Sequence, residues 1–133
     1  MTLRRPRREP LREAQAMQRA AARTGFDWNK TSDLWDKLAE EIGELRADAH
    51  DRRRAQEELG DLLFMAVNLA RHLKLDAPRA LAAANRKFAR RFAHIMRHAA
   101  ALPPLGDPRR LDAMEALWQD AKRIEKLPRK PRR

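Results

Sequence analysis

The chain has 133 residues, 43% of them hydrophobic and 37% charged, with no cysteine, no tyrosine and a formal net charge of +11. That length suits one domain with one core. The missing cysteines exclude disulfides and thiolate-bound metal, and no apolar run approaches the ~20 residues of a membrane span.

Residues 1–8 carry four arginines and no acid. No apolar segment follows them, so they do not read as a secretion signal, and a cytoplasmic protein is expected. At the other end, residues 123–133 hold six Lys or Arg against Glu125 alone. The excess charge therefore sits at the ends, and the stretch between them is close to balance. Residues 1–8 and 127–133 are expected to be disordered basic arms flanking a domain at 9–126. Contact of these arms with nucleic acid is the functional alternative that the charge raises.

Between the arms, punctuation marks about five helices. The first runs from about Leu11 to Arg23 and stops at Gly25, a typical residue just past a helix end. "GFDWNK" is a linker, after which Thr31 or Ser32 can cap a second helix to about Ala47. Asp51 can cap a third helix reaching Leu73. Asp76, with Pro78 in the first turn, opens a fourth that ends near Ala100. The loop "ALPPLGDP" leads to a last helix ending near Lys126. No alternating strand pattern occurs, so the expected fold class is all-α, an antiparallel helical bundle.

The second helix places Leu34, Leu38, Ile42 and Leu45 on one stripe, bordered by Glu41, Glu44 and Asp48. Glu40 points further round. The third helix is apolar around most of its circumference and is therefore expected to be buried. Its polar residues, Glu58, Asp61, Asn68 and His72, collect on one line. A short loop joins the two helices, so Glu41 and Glu44 should face Glu58 and Asp61. At ~4 Å and an effective dielectric of ~20, each like-charged pair costs about 4 kcal/mol. Such acids either raise their pKa values or hold cations. Oxygen donors without cysteine or histidine suit Mg²⁺, with Mn²⁺ as a substitute. A di-iron bundle would need Glu-x-x-His motifs, and no histidine here has an acid three residues before it.

A cation of this kind implies an anionic substrate. Lys87 and Arg91 lie one turn apart on the fourth helix and can clamp phosphates. Trp118 and Lys122 repeat that spacing on the fifth, where the indole either stacks on a base or joins the core. His94 and His98 share the spacing but lack a third ligand, and they read as surface residues.

The words "LWDKLAEEIGEL", "EELGDLLFMAVNLARHLKLD", "ALAAANRKFARRF" and "MEALWQDAKRIE" resemble the MazG-type nucleoside triphosphate pyrophosphohydrolases. The likeness runs from about Glu13 to Glu125 and is nearest the second domain of the tandem enzymes. It implies an all-α, homodimeric or higher-order enzyme. The activity implied is Mg²⁺-dependent hydrolysis of a nucleoside or deoxynucleoside triphosphate to the monophosphate and pyrophosphate, as in housecleaning of nucleotide pools. Carried over by position, Glu41, Glu44, Glu58 and Asp61 become metal ligands. Glu40 or Glu41 becomes the residue that orients or deprotonates the attacking water. Lys37, Lys87, Arg91, Trp118 and Lys122 would contact the substrate. The alternatives are a nucleic-acid-binding helical module and a nucleotide sensor of low turnover.

Overall fold

The computed structural model describes residues 9–129. The expected basic arms lie outside them, apart from 127–129. Five α-helices follow one another: α1 Pro10–Arg23, α2 Thr31–Asp48, α3 Arg52–His72, α4 Ala77–Arg97 and α5 Arg109–Glu125. A 3₁₀ turn at Ala99–Ala101 follows α4, and there is no strand among the described residues. The all-α expectation holds.

Local chemistry sets the helix ends. The Glu9 carboxylate accepts from the Leu11 and Arg12 amides at 2.8 and 3.1 Å, satisfying two of the free donors at the start of α1. Gly25 ends α1 with φ +96°. In this left-handed conformation its N–H reaches Ala22 O, and the Phe26 N–H reaches Ala21 O. Asp51 caps α3 through the Arg53 and Arg54 amides, and Asp76 accepts from the Arg79 amide at the start of α4. At α2 the expected cap fails. Lys30 holds the N-cap position, Thr31 is already helical, and no side chain caps the end. The first turn closes through backbone instead, Asp33 N–H donating to Lys30 O, with the Asp33 carboxylate facing the positive end of the helix dipole. Helix α4 stops at Arg97 rather than Ala100, because the backbone tightens into the 3₁₀ turn.

The chain divides into two compact units, one ending at Leu81 and one beginning at Ala82. In the first, α3 packs against both α1 and α2, around the fully buried Leu34 and Val67. Two buried glutamines tie α1 into this unit. Gln15 donates to Asp76 Oδ1 at 2.7 Å and accepts from the Ala77 amide at 2.8 Å. Gln18 donates to Phe64 O at 2.9 Å. In the second unit, Ile95 of α4 and Ala121 of α5 are buried, and Phe88 meets the Trp118 ring at 5.8 Å.

Helix α3 is not buried all round, contrary to the sequence expectation. It turns Met65, Val67 and Asn68 inward, while Leu59, Leu63 and Phe64 stay 46%, 56% and 41% exposed. The reason is geometric. Two neighbours cover one arc of a cylinder, and an apolar stripe wider than that arc is left to solvent within a single chain.

Candidate functional site

The acids gather where α2 runs into α3 through the short loop at 49–51. Glu41 is buried on α2 at 7% exposure. Lys37, one turn earlier, sits 3.3 Å from its Oε1 and 3.2 Å from Glu40 Oε1. Hydrogen bonding to Glu40 first, and to Glu41 next, raises the Lys37 ammonium above the usual lysine range. Glu40 itself points outward, its side chain more than half exposed. The expected substrate contact, Lys37, is thus held between the two glutamates.

Across the hairpin, Glu58 is half-buried. Its carboxyl is pushed up to about 7, chiefly by a hydrogen bond with Asp48, then by burial and by the negative charges of Asp48, Glu44 and Glu41. One of its oxygens, Oε2, is buried and has no hydrogen-bond partner. The structure therefore brings Glu41, Glu44 and Glu58 into electrostatic contact and adds Asp48, which the expected ligand set omitted. Asp61 follows Glu58 by one helical turn and is exposed, as is Glu44. Among the described residues, no three acids or histidines already stand at metal-holding geometry. The donor chemistry nevertheless suits a hard cation. Every donor is oxygen, mutual repulsion is felt at Glu58, and an orphaned buried oxygen lacks a positive partner.

Further along the same unit lies a cavity of about 460 Å³. Met17, Phe26, Trp28 and Phe64 supply apolar walls, with Asn68 and Arg71 among the polar ones. Asn68 lies seven residues beyond Asp61 on α3, an axial distance of ~10 Å at 1.5 Å per residue. The sequence reading had assigned the two aromatics to a linker and missed this cavity. A network holds its rim. Arg71 donates through Nη1 and Nη2 to the Asp27 carboxylate at 3.2 and 2.8 Å. His72 Nε2 lies 3.0 Å from Asp27 Oδ1. The Arg71 hydrogen bond, assisted by those from His72 and the Trp28 amide, holds the Asp27 carboxyl well below the usual carboxylate range.

In the second unit, Lys87 is exposed on α4, while Trp118 and Lys122 are half-buried on α5. Arg91 is engaged. It donates through Nε and Nη2 to the two oxygens of Glu125 at 3.2 and 2.9 Å, and its guanidinium carbon lies 5.2 Å from the Trp118 ring centroid. His94 corrects an expectation. It is buried rather than on the surface, because Nε2 pairs with Asp120 Oδ2 at 2.8 Å. His98 is exposed as expected.

An all-helical chain in which consecutive helices oppose their carboxylates across a hairpin belongs to a class chemically matched to divalent cations and the phosphates that accompany them. Within that class, the MazG nucleotide pyrophosphohydrolase domain matches residues 29–96, about half of the chain, and the protein belongs to this family. It is 44% identical over 125 residues to the nucleoside triphosphate pyrophosphohydrolase of Escherichia coli K12, covering 90% of this chain and 48% of that protein. It is 45% identical over 82 residues to the nucleoside triphosphate pyrophosphohydrolase/pyrophosphatase MazG of Thermotoga maritima, covering 62% of this chain and 32% of that one. The chain thus spans half or less of the length of these relatives.

Proposed function

We propose that this protein is a Mg²⁺-dependent nucleoside triphosphate pyrophosphohydrolase, converting a nucleoside or deoxynucleoside triphosphate and water to the monophosphate and pyrophosphate. The observation that carries this reading is the opposed acid set of α2 and α3, with its raised Glu58 carboxyl and orphaned Oε2. The family and the names of the relatives support it.

In this reading Glu41, Glu44, Glu58 and Asp61 hold the cation, for which Mn²⁺ can substitute. When bound, the ion neutralises triphosphate charge and lowers the pKa of water. Glu40 or Glu41 orients or deprotonates the attacking water, and Lys37, gripping both, fixes their side chains for that task. Lys87, Arg91 and Lys122 stabilise phosphate charge, and Trp118 holds the nucleotide. The cavity walled by Phe26, Trp28 and Phe64 offers an aromatic, partly polar enclosure that shares α3 with Glu58 and Asp61, suited to the nucleoside end.

The protein acts as a homodimer. Leu59 and Leu63, one turn apart on α3, form an apolar face that one chain leaves open. A second copy carries the same face, so a two-fold axis buries both at once. No described helix is long and apolar enough to cross a membrane. The nucleotide pool of the cytoplasm is the proposed place of action. The basic arms at 1–8 and 127–133 flank the catalytic domain.

The test is a panel of nucleoside and deoxynucleoside triphosphates with Mg²⁺, identifying both products. Pyrophosphate should appear rather than orthophosphate. Glu41→Ala and Asp61→Ala should abolish turnover while circular dichroism shows helicity retained. Metal-loaded, folded protein inert towards the whole panel would overturn the assignment. Inorganic tripolyphosphate, lacking base and sugar, should be a far poorer substrate if the cavity receives the nucleoside.

A further inference from the structure

Arg91 is fixed on two sides. Its Nε–Nη2 edge meets the Glu125 carboxylate in a two-point contact at 3.2 and 2.9 Å, a geometry that sets both the position and the plane of a guanidinium. Its face rests against Trp118, with 5.2 Å from the guanidinium carbon to the ring centroid. That indole leans on Phe88, which in turn stacks on Phe92 with ring centroids 5.7 Å apart. The side chain of Arg91 is 13% exposed, against 61% for neighbouring Arg90, whose Nη2 lies 3.6 Å from Glu125. Among the described residues Nη1 donates no hydrogen bond, and Nη2 has a second hydrogen beyond the one it gives to Glu125.

We infer that Glu125 is a positioning residue for phosphate recognition: it occupies the inner edge of Arg91 so that the outer Nη1–Nη2 edge is presented, preformed, to substrate phosphate oxygens. This inference rests on the reading that Arg91 contacts phosphate. Free arginine has many rotamers, and a side chain already held in its working geometry does not lose that freedom when ligand arrives. The opposite role, a latch that competes with substrate for Arg91, would require Glu125 to take the outer edge. It takes the inner one instead. Nor does one carboxylate reverse the local field. Arg91, Arg90 and Lys87 all bear on Glu125 and hold its carboxyl below the usual range, with Arg91 the leading cause. It therefore stays ionised and paired at working pH, in surroundings that remain net positive.

The experiment uses the full chain with Mg²⁺ and a nucleoside triphosphate substrate. KM and kcat are measured for Glu125→Gln, Arg91→Ala and the double variant, and thermal melting checks folding. Glu125→Gln should raise KM about five- to tenfold, the scale set by loss of a charge-assisted hydrogen-bond pair, with kcat changed less. Arg91→Ala should raise KM further, and the double variant should be no worse than Arg91→Ala, because Glu125 acts only through that arginine. A lower KM in Glu125→Gln would identify a latch and overturn the inference. A Glu125→Gln penalty that persists on top of Arg91→Ala, or a lowered melting temperature with KM unchanged, would reduce Glu125 to a structural role. Should Glu125→Gln leave KM unchanged while Arg91→Ala raises it, the phosphate role of Arg91 stands and only that of Glu125 falls. An unaltered KM in Arg91→Ala would remove the phosphate role itself.

Discussion

Asp27 shows how much can hang on one carboxylate. It gathers Arg71, His72 and the Trp28 amide, fastening the 26–30 segment to α3 at the rim of the cavity. Because its folded-state pKa is depressed, its contribution is complete above the unfolded value of about 4 and is lost as pH falls below it. Asp27→Asn should therefore cost about 1 kcal/mol at neutral pH, after allowance for solvent screening. It should also melt with a shallower acid dependence than the parent below pH 4, as read by thermal denaturation between pH 2 and 7. An unchanged acid limb would mean that the Arg71 pair does not hold in solution. At this scale, legibility in the sequence followed spacing. Glu41, Glu44 and Glu58 could be placed opposite one another by counting residues along two helices. Asp48 was visible beside them, but not its influence on the Glu58 carboxyl, which depends on rotamers. The Arg91–Glu125 pair was out of reach, since 34 residues separate its members and only the packing of α4 with α5 unites them.

The elements were the most readable level, because helix ends are decided by a few local groups. Gly25, Asp51 and Asp76 did what their residue types suggest. The ends that drifted, Thr31 and Ala100, are those where backbone hydrogen bonds rather than a side chain close the turn. Helix α3 supplies the contrast with Gly25, since it terminates through Lys74 at φ +62°, with Leu75 N–H reaching Ala70 O at 2.8 Å. A residue with a Cβ in that conformation carries roughly 1 kcal/mol of strain. Glycine would relieve it but lose a similar amount through greater freedom in the unfolded chain. Gly25→Ala should thus destabilise by about 1 kcal/mol, whereas Lys74→Gly should fall within about 0.5 kcal/mol of the parent in denaturant titrations. Equal losses in both would show that the left-handed geometry is not what ends α1. The width of the apolar stripe on α3 was equally plain in the sequence. What covers it was not, because periodicity reports the width of a stripe and nothing about how many neighbours a single chain can supply.

For the molecule as a whole, the buried apolar set is small: Leu34, Met65, Val67, Ala77, Ile95 and Ala121 among the described residues. Many larger side chains stay open, Leu63 at more than half exposure. Light scattering after size exclusion should report the mass of two chains, and Leu63→Glu should shift the population to single chains by placing a charge within the apolar face. Wild-type protein running as one chain at micromolar concentration would remove the dimer. If the pair forms, the open stripe on α3 ties thermostability to the number of copies in solution. By mass action the melting temperature should climb with protein concentration and sink on dilution. A conservative trimming of Leu59 or Leu63 would then pass for a folding defect in a dilute assay, yet look nearly benign in a concentrated one.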